Sequence, residues 1–314
     1  MIGMIEPKKM RIVYMGTPEM SAEVLKVLLE EGFNVVALVA QEDKPVGRKG
    51  VLEAVPTKKV ALQYNIPVFQ PHRIRKEFAF VKALKPDLIL TMAYGQIIPH
   101  ELLEIPAYGC LNLHGSILPK YRGAAPIQRA IWNGETETGV TLMEMVDEMD
   151  AGKMYAIEKC SISDSDTFSD LKAKIVDCCA KLIREQLPKY LQGELPGVEQ
   201  DASKVTFANK ILPEDEKLSL SESCHEFIRH VNALSDEPGG YVILDGLKLK
   251  LFRVRYANKQ FQNPEGTLVI QKGVYLVLKD GTVEIESLQL EGKKRMDGKS
   301  FANGGQKYHQ KIVH

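Results

Sequence analysis

Short apolar runs alternate with helical segments over the first 190 residues, and this alternation limits the chain to few architectures. Arg11–Met15, Asn34–Ala40, Ile66–Phe69, Asp87–Met92, Cys110–Leu113 and Val140–Met145 read as strands, and Lys153–Ser161 reads as extended. Helical patterns lie between most of them, through Leu28–Leu29, over Pro56–Gln63 and Glu77–Leu84, and from Pro126 to Trp132. Strands separated by helices pair in parallel through right-handed crossovers. The expected fold is therefore α/β, a doubly wound, mostly parallel sheet whose ligands sit beyond the carboxyl ends of its strands. Thr17 is expected to cap the first helix, with Pro18 at its first position. Asp166 or Thr167 is expected to cap one long helix toward Tyr190.

The pattern then changes. Residues 194–210 are polar and aperiodic, with Pro196 and Gly197, and read as a linker between a first domain over 1–193 and a second over 211–314. The second holds a helical piece near Ser221–Ala233, then short strands with Asp245-Gly246 and Asp280-Gly281 at hairpin turns. Several short antiparallel strands in about a hundred residues predict a small OB-like β-barrel.

Composition excludes several classes. Forty-one basic and 41 acidic residues cancel, so any nucleic-acid footprint must be local. Residues 194–314 are also balanced, although Lys248 and Lys250, Arg253 and Arg255, and Lys293-Lys294-Arg295 form local clusters. Five cysteines without C-x-x-C spacing indicate neither a disulfide framework nor a zinc ribbon. No segment approaches the roughly 20 apolar residues of a membrane span. A cytoplasmic protein is the expectation, and nothing demands more than a monomer.

The chemistry concentrates in Asn112-Leu-His-Gly-Ser-Ile-Leu-Pro119 and, further on, Asp150-Ala-Gly152. Residues i and i+2 of a strand share a face, so Asn112 and His114 can address one atom. An amide and a protonated imidazole offer two donors to one oxygen, which suits an oxyanion. A carboxylate at Asp150 could receive a proton from an attacking amine; Asp147 and Glu148 are rivals on spacing alone. No metal and no covalent nucleophile are indicated. Gln41–Val55 is a long polar connection whose Lys44, Arg48 and Lys49 could grip phosphate.

These motifs, with Tyr121-Arg-Gly-Ala-Ala-Pro-Ile-Gln128, Gly16-Thr-Pro18, Pro45-Val-Gly-Arg48, Ala93-Tyr-Gly95, Glu137-Thr-Gly-Val140 and Gly292-Lys-Lys-Arg-Met296, closely resemble the methionyl-tRNA formyltransferase family over almost the full chain. The resemblance implies transfer of a formyl group from 10-formyltetrahydrofolate to the methionyl amine of initiator tRNA. It implies that Asn112, His114 and Asp150 are catalytic, and that Asp150 orients His114. Ser116, Ile117, Leu118 and Pro119 would line the folate site. Arg48, with Lys44 and Lys49, would meet the tRNA, and the barrel would add contacts. A formyltransferase for a sugar-nucleotide or glycinamide-ribonucleotide amine is the alternative. Two stretches depart from the family pattern: Leu234–Tyr241, and Glu148-Met149, where a glycine-leucine pair is common.

Overall fold

The computed structural model describes residues 6–46 and 50–314. Its contacts divide the chain into two units, one of Met1–Gly123, Gly139–Cys160 and Ala173–Phe207, the other of Ala124–Thr138, Ser161–Lys172 and Ala208–His314. The division differs from the expected domains at 1–193 and 211–314. Residues 194–207 belong to the first unit, where Met154 and Val198 exchange both backbone hydrogen bonds (2.9 and 2.8 Å).

In chain order the elements up to residue 191 are β1 (Ile12–Gly16), α1 (Glu19–Glu30), β2 (Val35–Val39), β3 (Lys44–Val46), β4 (Val51–Glu53), α2 (Pro56–Gln63), β5 (Val68–Phe69), α3 (Ala79–Leu84), β6 (Leu88–Met92), α4 (His100–Leu103), β7 (Cys110–His114), α5 (Pro126–Trp132), β8 (Glu137–Glu144), β9 (Met154–Ser161), α6 (Phe168–Lys181) and α7 (Leu187–Leu191). The main sheet has the order β5-β2-β1-β6-β7-β8-β9. It is parallel from β5 to β7. Ile12 to Met15 are all inaccessible, as expected of a parallel strand covered on both faces.

Gly16 permits the tight exit from β1, because a Cβ there would lie 1.8 Å from Ser21 Oγ and 2.8 Å from Met92 O. Thr17 does not cap α1. Its hydroxyl donates to Tyr94 O (3.0 Å) and accepts the Gln41 N–H (3.2 Å), so the cap position falls to Pro18 and the helix starts at Glu19. Thr17 thus joins the ends of three strands.

β8 follows a helix yet runs antiparallel to β7, pairing Asn112 with Met143 and His114 with Thr141. The helix before it, α5, groups with the second unit. β8 and β9 form a hairpin: the Glu144 N–H donates to Lys153 O, and Gly139 abuts Glu158 O. The helix expected to reach Tyr190 is capped by Thr167, whose hydroxyl accepts the Asp170 N–H. It is interrupted by a π turn at Leu182–Gln186. Pro188 has no N–H to give Arg184 O, so regular α-bonding cannot continue there.

The second unit continues with α8 (Cys224–Ala233), β10 (Gly240–Leu244), β11 (Leu247–Tyr256), β12 (Thr267–Ile270), β13 (Val274–Leu278), β14 (Gly281–Leu290), β15 (Met296–Asp297), α9 (Gly298–Gly304) and β16 (Lys311–Ile312). Its sheet is ordered β10-β11-β14-β13-β12-β16. The two edges meet, because Ile243 and His314 exchange both backbone hydrogen bonds (2.8 and 3.0 Å). The curled sheet therefore closes as the predicted OB-like barrel. Its interior is filled by Phe227, Val242, Leu249, Leu251, Leu276 and Ile285 among others. Within the same unit α5 packs on α8. Trp132 stacks on the buried His230 ring, with centroids 3.8 Å apart, and His230 lies between Glu222 (3.1 Å) and Asp215 O (2.7 Å).

A polar network secures the end of β2 in the first unit. Asp43 takes hydrogen bonds from Lys58, Gln70 (2.8 Å) and the Val55 N–H (3.3 Å). Partial burial would raise the Asp43 carboxyl, but these donors and the Lys58 charge outweigh it and hold it below its ordinary value. A depressed carboxyl stabilises the folded state above its unfolded value, near pH 4, and that gain is lost as the pH falls through the folded value. The stability advantage of wild type over Asp43→Asn should therefore shrink as the pH is lowered from 6 to 3 in urea-unfolding measurements. A constant difference across that range would contradict the assignment.

Candidate active site

β7 carries the functional block. Alternation along the strand puts Asn112 and His114 on one face, and both are ordered by neighbours. The Thr91 hydroxyl donates to Asn112 Oδ1 (2.9 Å), which leaves the amide Nδ2 as the available donor. The His114 ring is only 5% exposed. Its Nε2 lies 2.9 Å from Tyr121 O. A carbonyl can only accept, so Nε2 carries the hydrogen. Nδ1 faces Asp150 Oδ2 at 3.6 Å, too long for a hydrogen bond. Tyr121 thus shares with Asp150 the task of fixing the ring.

Asp150 is itself held: its Oδ2 accepts the Gly123 N–H at 2.8 Å. The segment Tyr121–Gly123 therefore anchors both partners, the imidazole through a carbonyl and the carboxylate through an amide. Tyr121 (φ 63°) and Asp150 (φ 53°) both lie in the left-handed region. Such residues persist only where their surroundings hold them, and they cluster at functional sites. The structure brings together the pair that the sequence proposed. Asp147 and Glu148, the rivals on spacing, face elsewhere, Asp147 to His100 and Glu148 to Arg122.

The turn after β7 is built around Thr141. Its hydroxyl donates to Ser116 O (2.7 Å) and accepts the Leu118 N–H (3.1 Å). Ser116 Oγ donates to Lys120 O (2.7 Å). Ser116 and Leu118 are buried, whereas Ile117 and Pro119 keep part of their surface exposed. Of the four residues assigned to folate, two shape the turn and two present side chains. A cavity of about 640 Å³ lies at the amino end of β7, away from His114, lined by Tyr108, Cys110, Met145, Val146, Asp147 and Tyr190 among others. Burial and the charge of Glu104 push the Cys110 thiol up to about 12, so it remains neutral at ordinary pH. Among the described residues, no group of three or more His, Cys, Asp or Glu is arranged to hold a metal ion.

Several contributors carried no sequence signal of their role. Tyr121 and Gly123 lie in the Tyr121–Gln128 motif, but they act through backbone atoms. Thr91 and Thr141 were lone hydroxyls in apolar strands. Gln200 lies in the aperiodic stretch that reads as a linker, yet its amide donates to Asp150 O (2.8 Å) and Gly152 O (2.9 Å).

The expected tRNA contacts fare differently. Lys44 is exposed, while Arg48 and Lys49 lie outside the described residues. Most of the barrel's basic side chains have partners: Lys248 covers the Tyr241 ring, Lys250 donates to Pro238 O, Arg253 meets Asp170, Arg255 meets Glu284 and Glu286, and Arg295 meets Asp236. Lys293 and Lys294 are exposed, with no carboxylate partner among the described residues.

A doubly wound domain that carries Asn112, His114 and Asp150 is followed by a barrel, and the comparisons name the class to which this pairing belongs. The family model described as formyl transferase matches residues 9–187, and that of the formyl transferase C-terminal domain matches 210–306. A methionyl-tRNA formyltransferase of Malacoplasma penetrans is 41% identical over 299 residues, covering 95% of this chain and 94% of the relative. One from Bacillus subtilis is 41% identical over 303 residues, covering 94% of each. The crystal structure of HypX from Aquifex aeolicus in complex with tetrahydrofolic acid superposes with a TM-score of 0.67 at 18% identity, over 92% of this chain and 46% of that one. The chain belongs to the methionyl-tRNA formyltransferase family.

Gly152 gives the site a sharp test. A Cβ there would lie 2.1 Å from Glu144 O. Gly152→Ala must displace the connection that carries Asp150, and turnover should fall at least about tenfold, as for a small misplacement of reacting groups. Turnover equal to wild type in steady-state assays would show that the connection tolerates the shift.

Proposed function

We propose that this protein transfers the formyl group of 10-formyltetrahydrofolate to the amino group of methionyl initiator tRNA, in the cytoplasm, at the start of translation. The observation that carries the reading is the His114–Asp150 contact, fixed at both ends by Tyr121–Gly123. The alternation of strand and helix delivers this contact to the carboxyl end of β7, where a doubly wound sheet binds its ligands.

The uncharged amine attacks the formyl carbon, and a C–N bond forms as the carbonyl oxygen becomes an oxyanion. Asn112 donates through Nδ2. Protonated His114 sets its positive charge beside the oxyanion, with Nε2–H held by Tyr121 O and Nδ1–H on the edge that faces Asp150. Asp150 takes the proton shed by the amine, directly or through water. The bond to the folate nitrogen then breaks, a proton returns to that nitrogen, and tetrahydrofolate departs. The protein's part is to orient donors before charge develops, which is where most of such rate gains arise.

Ile117 and Pro119 provide the partly apolar rim for the folate. Lys44 and, by resemblance, Arg48 and Lys49 meet the acceptor end. Lys293 and Lys294 offer unpaired charge to the tRNA backbone, the contact that dominates nucleic-acid affinity. No helix among the described residues is long and apolar enough to cross a membrane.

Incubation with 10-formyltetrahydrofolate and charged initiator tRNA should yield formyl-methionyl-tRNA. Formate release alone, or formylation of a sugar-nucleotide or glycinamide-ribonucleotide amine instead, would point to a different formyltransferase or a hydrolase. His114→Ala and Asp150→Ala should each cut turnover about 100-fold or more, by analogy with the loss of an oxyanion donor; near-normal rates in either would reject its role. Arg48→Ala should raise the KM for tRNA and leave the folate KM alone. A variant that handles tRNA like wild type at several salt concentrations would remove Arg48 from the interface.

A further inference from the structure

Gln200 connects to the site more closely than its place in an aperiodic stretch suggests. Its Nε2 hydrogens go to Asp150 O and Gly152 O, and its Oε1 accepts Arg122 Nε at 3.0 Å. Both donors of the amide and its acceptor are therefore used. Arg122 is 7% exposed and reaches Glu148 Oε1 with Nη1 at 2.9 Å. Together the amide and the guanidinium grip alternate residues of one connection, at Glu148, Asp150 and Gly152. Glu148 is one of the departures from the family pattern, and here it supplies the outer anchor of the grip.

The grip is rigid on its own side as well. Val198 is bridged to Met154, and Thr206 receives the Tyr121 N–H on its hydroxyl (2.9 Å) and the Arg122 N–H on its carbonyl (2.9 Å). Residues 198–206 are thus pinned on both sides of Gln200. Asp150 is then held twice, its carboxylate by Gly123 and its peptide carbonyl by Gln200. A non-glycine residue at φ 53° needs such restraint, because the left-handed region is unfavourable for it.

We propose that Gln200 is a positioning residue for formyl transfer, which keeps the Asp150 backbone in the left-handed conformation that presents its carboxylate to His114. This rests on the assignment of Asp150 above. Gln200→Met removes all three hydrogen bonds at similar volume. Gln200→Glu keeps an acceptor for Arg122 and removes both donations, and it serves if Gln200→Met fails to fold.

Formylation kinetics are measured for these variants, for Asp150→Ala and for Asp150→Ala/Gln200→Met, on protein whose thermal transition matches the parent's. The expected result is a fall in kcat of about 10- to 100-fold for either Gln200 variant, with the KM for tRNA little changed. In the Asp150→Ala background Gln200→Met should add no further loss, because residues acting as one unit are non-additive. A kcat within twofold of wild type in the folded Gln200 variants, or losses that multiply in the double variant, would overturn the proposal while leaving Asp150 in place. Full activity of Asp150→Ala would overturn the assignment of Asp150 and the proposal with it.

Discussion

Three consecutive residues, Tyr121 to Gly123, hold the candidate site together. One carbonyl fixes the His114 tautomer, one amide holds the Asp150 carboxylate, and the side chain between them reaches the connection that carries Asp150. Backbone groups suit this task because they have almost no rotamer freedom to lose. A side chain placed to do the same would be ordered only at an entropic cost of up to about 2 kcal/mol. The site therefore depends on the path of the main chain after β7, and that path depends on Thr141 and the turn it braces.

The antiparallel β8 is central to the arrangement. It returns the chain alongside His114 with Thr141 directly opposite. The connection after β8 can then lie over the face of β7 and bring Asp150 back to the histidine. Because Glu144 pairs with Leu111, the connection leaves β8 beside the amino end of β7 and must run back to reach His114. Asp150, 36 positions after His114 in the chain, meets it on that return.

Much of the fold is legible in residue patterns. Continuous apolar runs mark the buried strands, Asp-Gly pairs mark the hairpins, and Asn112 and His114 declare themselves through strand alternation. Other features leave no local trace. Thr17 looks like a helix cap because its identity and position fit one, but tertiary contacts to Tyr94 and Gln41 compete for its hydroxyl and win. The antiparallel direction of β8 leaves no mark in any window of sequence. Gln200 looks like linker because a residue with one specific hydrogen-bonding task imposes no periodicity on its neighbours. Ser116 and Leu118 show the reverse: a motif marks them as important, but their burial makes them builders of the turn.

The stacked pair of Trp132 and His230 has a practical consequence. Trp132 is the chain's sole tryptophan, and it is packed in the barrel-containing unit. Indole emission during denaturation therefore reports mainly on the surroundings of α8 and says little about the sheet that carries Asn112, His114 and Asp150. A two-unit chain need not melt in one step. A fluorescence midpoint and a loss-of-activity midpoint would then measure separate events, and ellipticity, which samples both units, would be the signal to set beside them.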